Sequence, residues 1–65
     1  MGLRDRQKRQ RKEAILGAAL ELFEQRGFAN TTIEEVAERA GLSVPTLYRY
    51  VKSKGELLLA LQRAH

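Results

Sequence analysis

A glycine between two short helical patterns constrains the fold of this chain more than any other feature. The residues before it repeat with the i, i+3, i+4, i+7 spacing of a helix that buries one face: Ile33, Val36, Ala37 and Ala40. Gly41 offers the left-handed conformation that ends a helix, and Leu42 can fold back onto the last turn. Ser43 is a good N-cap, and Pro45 suits the first turn of a new helix. The segment therefore predicts helix, tight turn, helix.

A longer helical pattern precedes this segment. It begins within the basic N-terminus and ends at Gln25 or Arg26, with its apolar face formed by Ile15, Ala18, Ala19, Leu22 and Phe23 and widened by Leu16 and Leu20. Gly17 inside the pattern costs up to ~1 kcal/mol relative to alanine. Gly27 is predicted to end the helix in a left-handed Schellman turn that brings Phe23 against Phe28.

Capping boxes mark the starts of two further helices. Thr32 with Glu35 opens the second helix, and Ser53 with Glu56 opens a fourth. The third helix is predicted from Val44 to Val51, with Leu47 and Val51 inward. The fourth turns Leu57, Leu58, Leu61 and Ala64 inward and then stops at His65 without a closing turn, which suggests a fragment or a trimmed engineered piece. The predicted class is all-α: a three-helix helix-turn-helix (homeodomain-like) bundle plus the start of a fourth connecting helix.

The size and charge of the chain limit its function. Sixty-five residues allow one small domain, which we divide into a basic arm (1–11) and a helical domain (12–65). Six cations and one acid lie in residues 1–12, six glutamates and two arginines in 13–40, and four cations and one glutamate in 41–65. This asymmetry favours a polyanion bound on one side. The absence of cysteine, secretory signal and apolar span agrees with a cytoplasmic protein that does not use a membrane.

Two helices joined by a short glycine turn are typical of the helix-turn-helix, whose second helix enters the DNA major groove. Arg49 can bind guanine through O6 and N7, and Val44 and Pro45 offer apolar surface to a thymine methyl. Hydroxyls for phosphate oxygens are available on Thr46, Tyr48 and Tyr50, of which Tyr50 is expected outward and Tyr48 at the margin. Thr32 and Lys54 stand at helix N-termini suited to phosphate.

These residues also carry a family resemblance. The run from Gly27 through Thr31, Thr32 and Ala37 to Gly41 and Ser43 is followed by Thr46-Leu47-Tyr48-x-Tyr50-Val51 and then by Lys52-x-Lys54-x-x-Leu57. Over about residues 12–61 the chain resembles the DNA-binding domain of the TetR family of bacterial repressors.

The resemblance implies roles for individual residues. It implies base contacts from Ser43, Val44, Pro45 and Arg49, and phosphate contacts from Thr32, Thr46, Tyr48, Tyr50 and Lys54. It also implies a palindromic double-stranded operator bound by a homodimer. The small-molecule effector of such proteins acts through a C-terminal domain that this sequence lacks, so the chain itself is expected to be a monomer or weak dimer.

Simpler interpretations stand beside these roles. Tyr48 and Tyr50 can be packing residues with a solvated hydroxyl, and Arg49 an ordinary solvated arginine. The cations of the arm, Arg4, Arg6, Lys8 and Arg9 among them, either only solubilise the chain or contact DNA, with minor-groove insertion as one mode. Glutamates 34, 35 and 38 are expected to form a solvated face.

A rival function is a small helical protein-interaction module that uses its basic amphipathic first helix. An enzyme is the weakest option, because the sequence offers no nucleophile with a base, no metal cluster and no phosphate loop. We therefore expect no catalytic residue, no metal and no cofactor.

Overall fold

The computed structural model describes residues 2–63, except for the side chains of Leu3 and Arg4. Within that range the chain forms helices and connecting turns, so the all-α prediction is confirmed. The helices are α1 Leu3–Arg26, α2 Ile33–Ala40, α3 Val44–Leu47 and α4 Lys54–Arg63. Ala64 and His65 lie outside the described residues. No helix of the described part is long and apolar enough to cross a membrane.

The core consists of the apolar stripes that the sequence predicts. One cluster buries residues from all four helices and from the end of the α3 segment: Ile15, Ala18, Ala19, Leu22, Val36, Ala37, Leu47, Val51, Leu57 and Leu61. Phe23, Ile33 and Leu42 are half-buried against it. Leu20 is more exposed than a wide stripe would require, at 37%. Leu47 and Val51 face inward as predicted.

Helix α1 sets the length of the molecule. Its 24 residues correspond to about 36 Å at ~1.5 Å per residue, close to the longest extent of 37 Å. Among its described side chains, buried residues begin at Ile15, and residues 5–14 are all exposed. The arm proposed from the sequence therefore continues into the same helix as the core stripe.

The two glycine turns differ in geometry. At Gly41 (φ 75°, ψ 28°) the turn is a complete Schellman motif, in which Leu42 N–H donates to the Ala37 carbonyl at 2.9 Å and Gly41 N–H to the Glu38 carbonyl at 3.1 Å. Gly27 has φ 86° and ψ 156°, outside the left-handed helical region, and donates only to the Phe23 carbonyl at 2.8 Å. The Schellman prediction at Gly27 is thus wrong, because the chain leaves α1 extended. The predicted contact of Phe23 with Phe28 is present, with ring centroids 5.2 Å apart.

The capping box of α2 forms in full, whereas the one predicted for α4 forms only its first bond. Thr32 Oγ1 accepts from Glu35 N–H at 3.2 Å, and Glu35 Oε1 accepts from Thr32 N–H at 3.1 Å. At α4, Ser53 Oγ accepts from Glu56 N–H at 3.2 Å. The Glu56 carboxylate reaches one residue further back, to Lys52 N–H at 2.8 Å. These bonds fix the N-termini of α2 and α4, where the site is expected.

Candidate nucleic-acid interface

Ser43 caps the N-terminus of α3, which is exposed to solvent. Ser43 Oγ accepts from Thr46 N–H at 3.4 Å and donates to Thr46 Oγ1 at 2.8 Å. Ser43 and Pro45 are exposed, while Val44 is half-buried against the core. Two of the base-contact candidates therefore have free surfaces, and Val44 offers only its outer side.

The segment after Leu47 departs from the predicted helix. α3 ends at Leu47, and Arg49 N–H and Tyr50 N–H each donate to the carbonyl three residues back, at 3.1 and 2.9 Å. Such tightening places residues i and i+3 on one face. Tyr50 therefore shares the inward face of Leu47 and is half-buried.

The predicted orientation of the two tyrosines is consequently wrong. Tyr48, expected at the margin, is 47% exposed, and Tyr50, expected outward, packs on the core. Arg49 is exposed. Among the residues that the structure describes, its guanidinium makes no ion pair or hydrogen bond, so it is available to a ligand.

The Lys54 side chain of α4 and the backbone just before α2 converge on one backbone carbonyl. Lys54 Nζ donates to the Phe28 carbonyl at 2.8 Å, and Thr31 N–H points at the same oxygen from 3.3 Å. The Lys54 ammonium also lies 4.5 Å from the centroid of the Phe28 ring. Two phosphate-contact candidates far apart in sequence, Thr32 and Lys54, are thereby brought to neighbouring positions.

The hydroxyl of Thr32 is already engaged. It donates to Glu35 Oε1 at 3.1 Å, and the other oxygen of Glu35 pairs with Arg26. Glu35 is therefore half-buried in a capping and ion-pair network and is not part of a freely solvated face, whereas Glu34 and Glu38 are exposed as expected.

Sequence reasoning assigned no role to Thr31, which is 1% exposed. Its hydroxyl lies 2.9 Å from the Gly27 carbonyl and 3.3 Å from the Leu22 carbonyl, between the end of α1 and the start of α2. The pair of adjacent threonines could have indicated this role. Only one of them can be the N-cap of α2, so the other is free for a different structural role.

The arm candidates do not form one cluster. Arg6, Lys8 and Arg9 are exposed on different sides of α1, and the Arg4 side chain lies outside the described residues. The acidic middle of the chain is partly neutralised, since Glu21 pairs with Arg39 at 3.1 Å and Glu35 with Arg26. Within residues 2–63 no group of three or more potential metal-ligating side chains occurs.

Two helices joined by a three-residue glycine turn, with the second one capped and exposed at its N-terminus, define a helix-turn-helix DNA-binding domain. The sequence-family model for the bacterial regulatory proteins of the tetR family matches residues 15–61. The chain belongs to this family and is the DNA-binding domain of a TetR-family transcriptional regulator.

Curated relatives show the same kinship. The chain is 45% identical over 62 residues to the HTH-type transcriptional regulator RutR of Escherichia coli K12, covering 95% of this chain and 29% of RutR. It is 43% identical to the transcriptional activator FasR of Mycolicibacterium smegmatis (86% and 26% covered) and 42% identical to the class D tetracycline repressor of Escherichia coli (77% and 23%). The chain thus spans less than a third of the length of these relatives.

Proposed function

We propose that the domain reads a specific double-stranded operator by placing α3 and the turn after it in the major groove. The observation that carries this proposal is the exposure of Ser43, Pro45 and Arg49 after the Gly41 turn, with the Lys54 ammonium held nearby at the Phe28 carbonyl. Arg49 binds a guanine edge through two hydrogen bonds, and Pro45 with the outer side of Val44 contacts a thymine methyl.

Phosphate contacts hold this segment in place. Lys54 uses one of three ammonium donors on the Phe28 carbonyl, so two remain for a phosphate oxygen. Thr32 donates after its hydroxyl turns away from Glu35, and Thr46 and Tyr48 donate from the exposed side of the α3 segment. Tyr50 contributes only through its hydroxyl, because its ring packs on the core.

The biological output proposed is repression. A dimer formed through the rest of the longer protein would read a palindrome with half-site centres ~34–36 Å apart, about one helical turn. Occupancy of the operator would block transcription in the bacterial cytoplasm, and a small molecule bound outside this domain would end it. The relatives include a repressor and an activator, and a reporter assay distinguishes the two outputs.

Selection of bound sequences from a random duplex pool, followed by titration across salt, tests the proposal. The selected consensus should support binding that falls steeply with salt. Arg49→Ala should cost about 1–3 kcal/mol and relax the preference at one position. Arg39→Ala is the matched control, because Arg39 lies on α2 and pairs with Glu21 of α1. Equal effects of the two substitutions, or affinity independent of salt, would exclude this mode of binding.

The rival interaction module would bind its partner through α1 alone. Deletion of residues 1–11 would then abolish all binding, and Arg49→Ala would change nothing. A reporter gene placed behind the selected operator settles the direction of regulation, because a repressor lowers its expression and an activator raises it.

A further inference from the structure

The inward face of α1 changes its chemistry one turn before the core begins. Ile15 and Leu22 belong to a stripe with spacing 3, 4 and 7 along the helix. Extended towards the N-terminus, the same stripe passes through Lys8, Arg11 and Lys12. These three residues form the cationic ridge, which continues the line of the core on the side of α1 that faces the bundle.

The charges of the cationic ridge have no protein partner within the described residues. Lys8, Arg11 and Lys12 are exposed, and none of them takes part in an ion pair or a side-chain hydrogen bond there. Asp5 is the single acid of residues 2–12. Like charges at i, i+4, such as Lys8 and Lys12, destabilise a helix by about 0.2–0.5 kcal/mol per pair. The ridge is therefore a cationic surface that gains from an anionic partner.

The ridge adjoins the interface at its C-terminal end. Lys12 and Leu16 line a groove together with Tyr50, Glu56 and Arg63, and the Glu56 carboxylate there accepts from Lys52 N–H. Because Tyr50 follows the α3 segment directly, a duplex held by that segment passes close to Lys12. The remainder of the ridge extends outward from this point along α1.

We infer that the cationic ridge binds the phosphate backbone of the same duplex, outside the base pairs under α3. A helix is ~10–12 Å wide with its side chains, whereas the minor groove is only ~6 Å wide. The helical ridge therefore lies along phosphates and does not enter the minor groove as an extended arm would. Residues 3–14 span about 18 Å, equivalent to about five base pairs. This inference rests on the proposed major-groove binding by α3.

A comparison of duplex lengths with two matched arginines tests the ridge. Two duplexes share the selected core sequence, and one carries about five more base pairs on each side, the span of residues 3–14 at ~3.4 Å per base pair. Arg11→Gln removes a charge from the ridge, whereas Arg6→Gln removes one from the opposite side of α1. Glutamine is close to arginine in helix propensity, so both variants keep the helix.

Arg11→Gln should weaken binding to the longer duplex and leave the shorter one unchanged. On the longer duplex it should reduce the slope of log affinity against log salt by about 0.9, and Lys8→Gln with Arg11→Gln by about 1.8. Arg6→Gln should change neither slope. Circular dichroism of each variant confirms that α1 is retained.

The outcomes separate the ridge from the proposed function. Equal losses for Arg11→Gln and Arg6→Gln, or losses independent of duplex length, would overturn the ridge. If Arg49→Ala abolishes selective binding and ridge variants are neutral, the ridge fails and major-groove reading stands. If Arg49→Ala is neutral while ridge variants lower affinity on both duplexes, major-groove reading fails and the ridge falls with it.

Discussion

Two adjacent threonines show how side-chain chemistry is divided between folding and binding. Thr31 is buried, and its hydroxyl lies between two carbonyls at the junction of α1 and α2. Thr32 is exposed, and its hydroxyl caps α2 while bonded to Glu35. The same side chain therefore stabilises the fold at both positions, and only at Thr32 does it lie at the surface, where we propose that it donates to a phosphate.

Substitution of Thr31 by valine should destabilise the domain without altering its contacts with DNA. The valine keeps the shape of the side chain but leaves the Gly27 carbonyl without its hydroxyl donor at 2.9 Å. We expect a loss of about 1–3 kcal/mol in the free energy of unfolding, measured by urea denaturation. DNA affinity of the folded fraction should stay within twofold. A Thr31→Val protein as stable as the original would contradict the role assigned to this hydroxyl.

Glu35 places a negative charge beside a helix N-terminus that we propose receives a phosphate. Glu35→Gln preserves the capping box, since glutamine serves at this position, and removes the charge. It also releases Arg26 from its ion pair. DNA affinity should rise about threefold, equivalent to ~0.6 kcal/mol and within the range for a charge near a helix terminus.

Glu34→Gln is the control for this substitution, because Glu34 is an exposed acid in the same first turn and makes no side-chain hydrogen bond or ion pair within residues 2–63. Filter binding at low salt measures both variants. If Glu34→Gln tightens binding as much as Glu35→Gln, the effect is one of net charge and not of the Thr32 network.

At the scale of the elements, local chemistry accounts for most of what the sequence could predict. The capping box at Thr32, the glycine turn at Gly41 and the buried stripes depend on residues within one or two turns of each other. The apolar pattern could not predict that α3 ends at Leu47, because Leu47 and Val51 face inward both in a continued helix and in a tightened turn. The exchange of Tyr48 and Tyr50 follows from that turn.

Contacts between residues far apart in the sequence could not be predicted either. Lys54 donates to the Phe28 carbonyl, 26 positions away, and its ammonium lies over the ring of the same residue. The charge predicted a phosphate contact, but nothing local indicated that a carbonyl would orient it. The roles of the site residues in DNA binding remain predictions. The structure adds that five of them are exposed (Thr32, Ser43, Pro45, Tyr48 and Arg49) and that the other four are half-buried (Val44, Thr46, Tyr50 and Lys54).

Gly17 lowers the helix propensity of α1, and a substitution can remove this cost. It lies inside α1, is exposed, and a Cβ built there would meet nothing within 4 Å. Gly17→Ala should stabilise the domain by up to about 1 kcal/mol, which corresponds to a rise of roughly 4–8 °C in Tm for a domain of this size.

Gly41→Ala provides the opposite control for Gly17→Ala. Gly41 has φ 75°, which costs a residue with a Cβ about 1–2 kcal/mol. Thermal melts of the two variants should therefore shift in opposite directions. A fall in Tm for Gly17→Ala would contradict the open space around this position.

At the scale of the whole molecule, charge and shape are arranged around α1. A compact chain of this length has a radius of gyration of about 11 Å, and the observed value is 11.5 Å with one long axis of 37 Å. The acidic residues lie mainly on the C-terminal half of α1 and on α2, where arginines pair with two of them. The cations without such partners lie towards both ends of the chain.

This arrangement predicts that salt acts in opposite directions on the free domain and on its complex with DNA. In the free domain, repulsion within the cationic ridge opposes the exposed half of α1, which has no core contact to hold it. Raising sodium fluoride from about 0.01 to 1 M shortens the Debye length from ~30 to ~3 Å and should increase helix content, measured by far-ultraviolet circular dichroism. Over the same range DNA affinity should fall, because phosphate binding releases counterions.

The Lys8→Gln, Arg11→Gln double variant should show a smaller gain of helix, since it has already lost the repulsion between Lys8 and Lys12. Helix content that decreases with salt would mean that ion pairs with Asp5 hold this half of α1, and the ridge would then be satisfied without DNA.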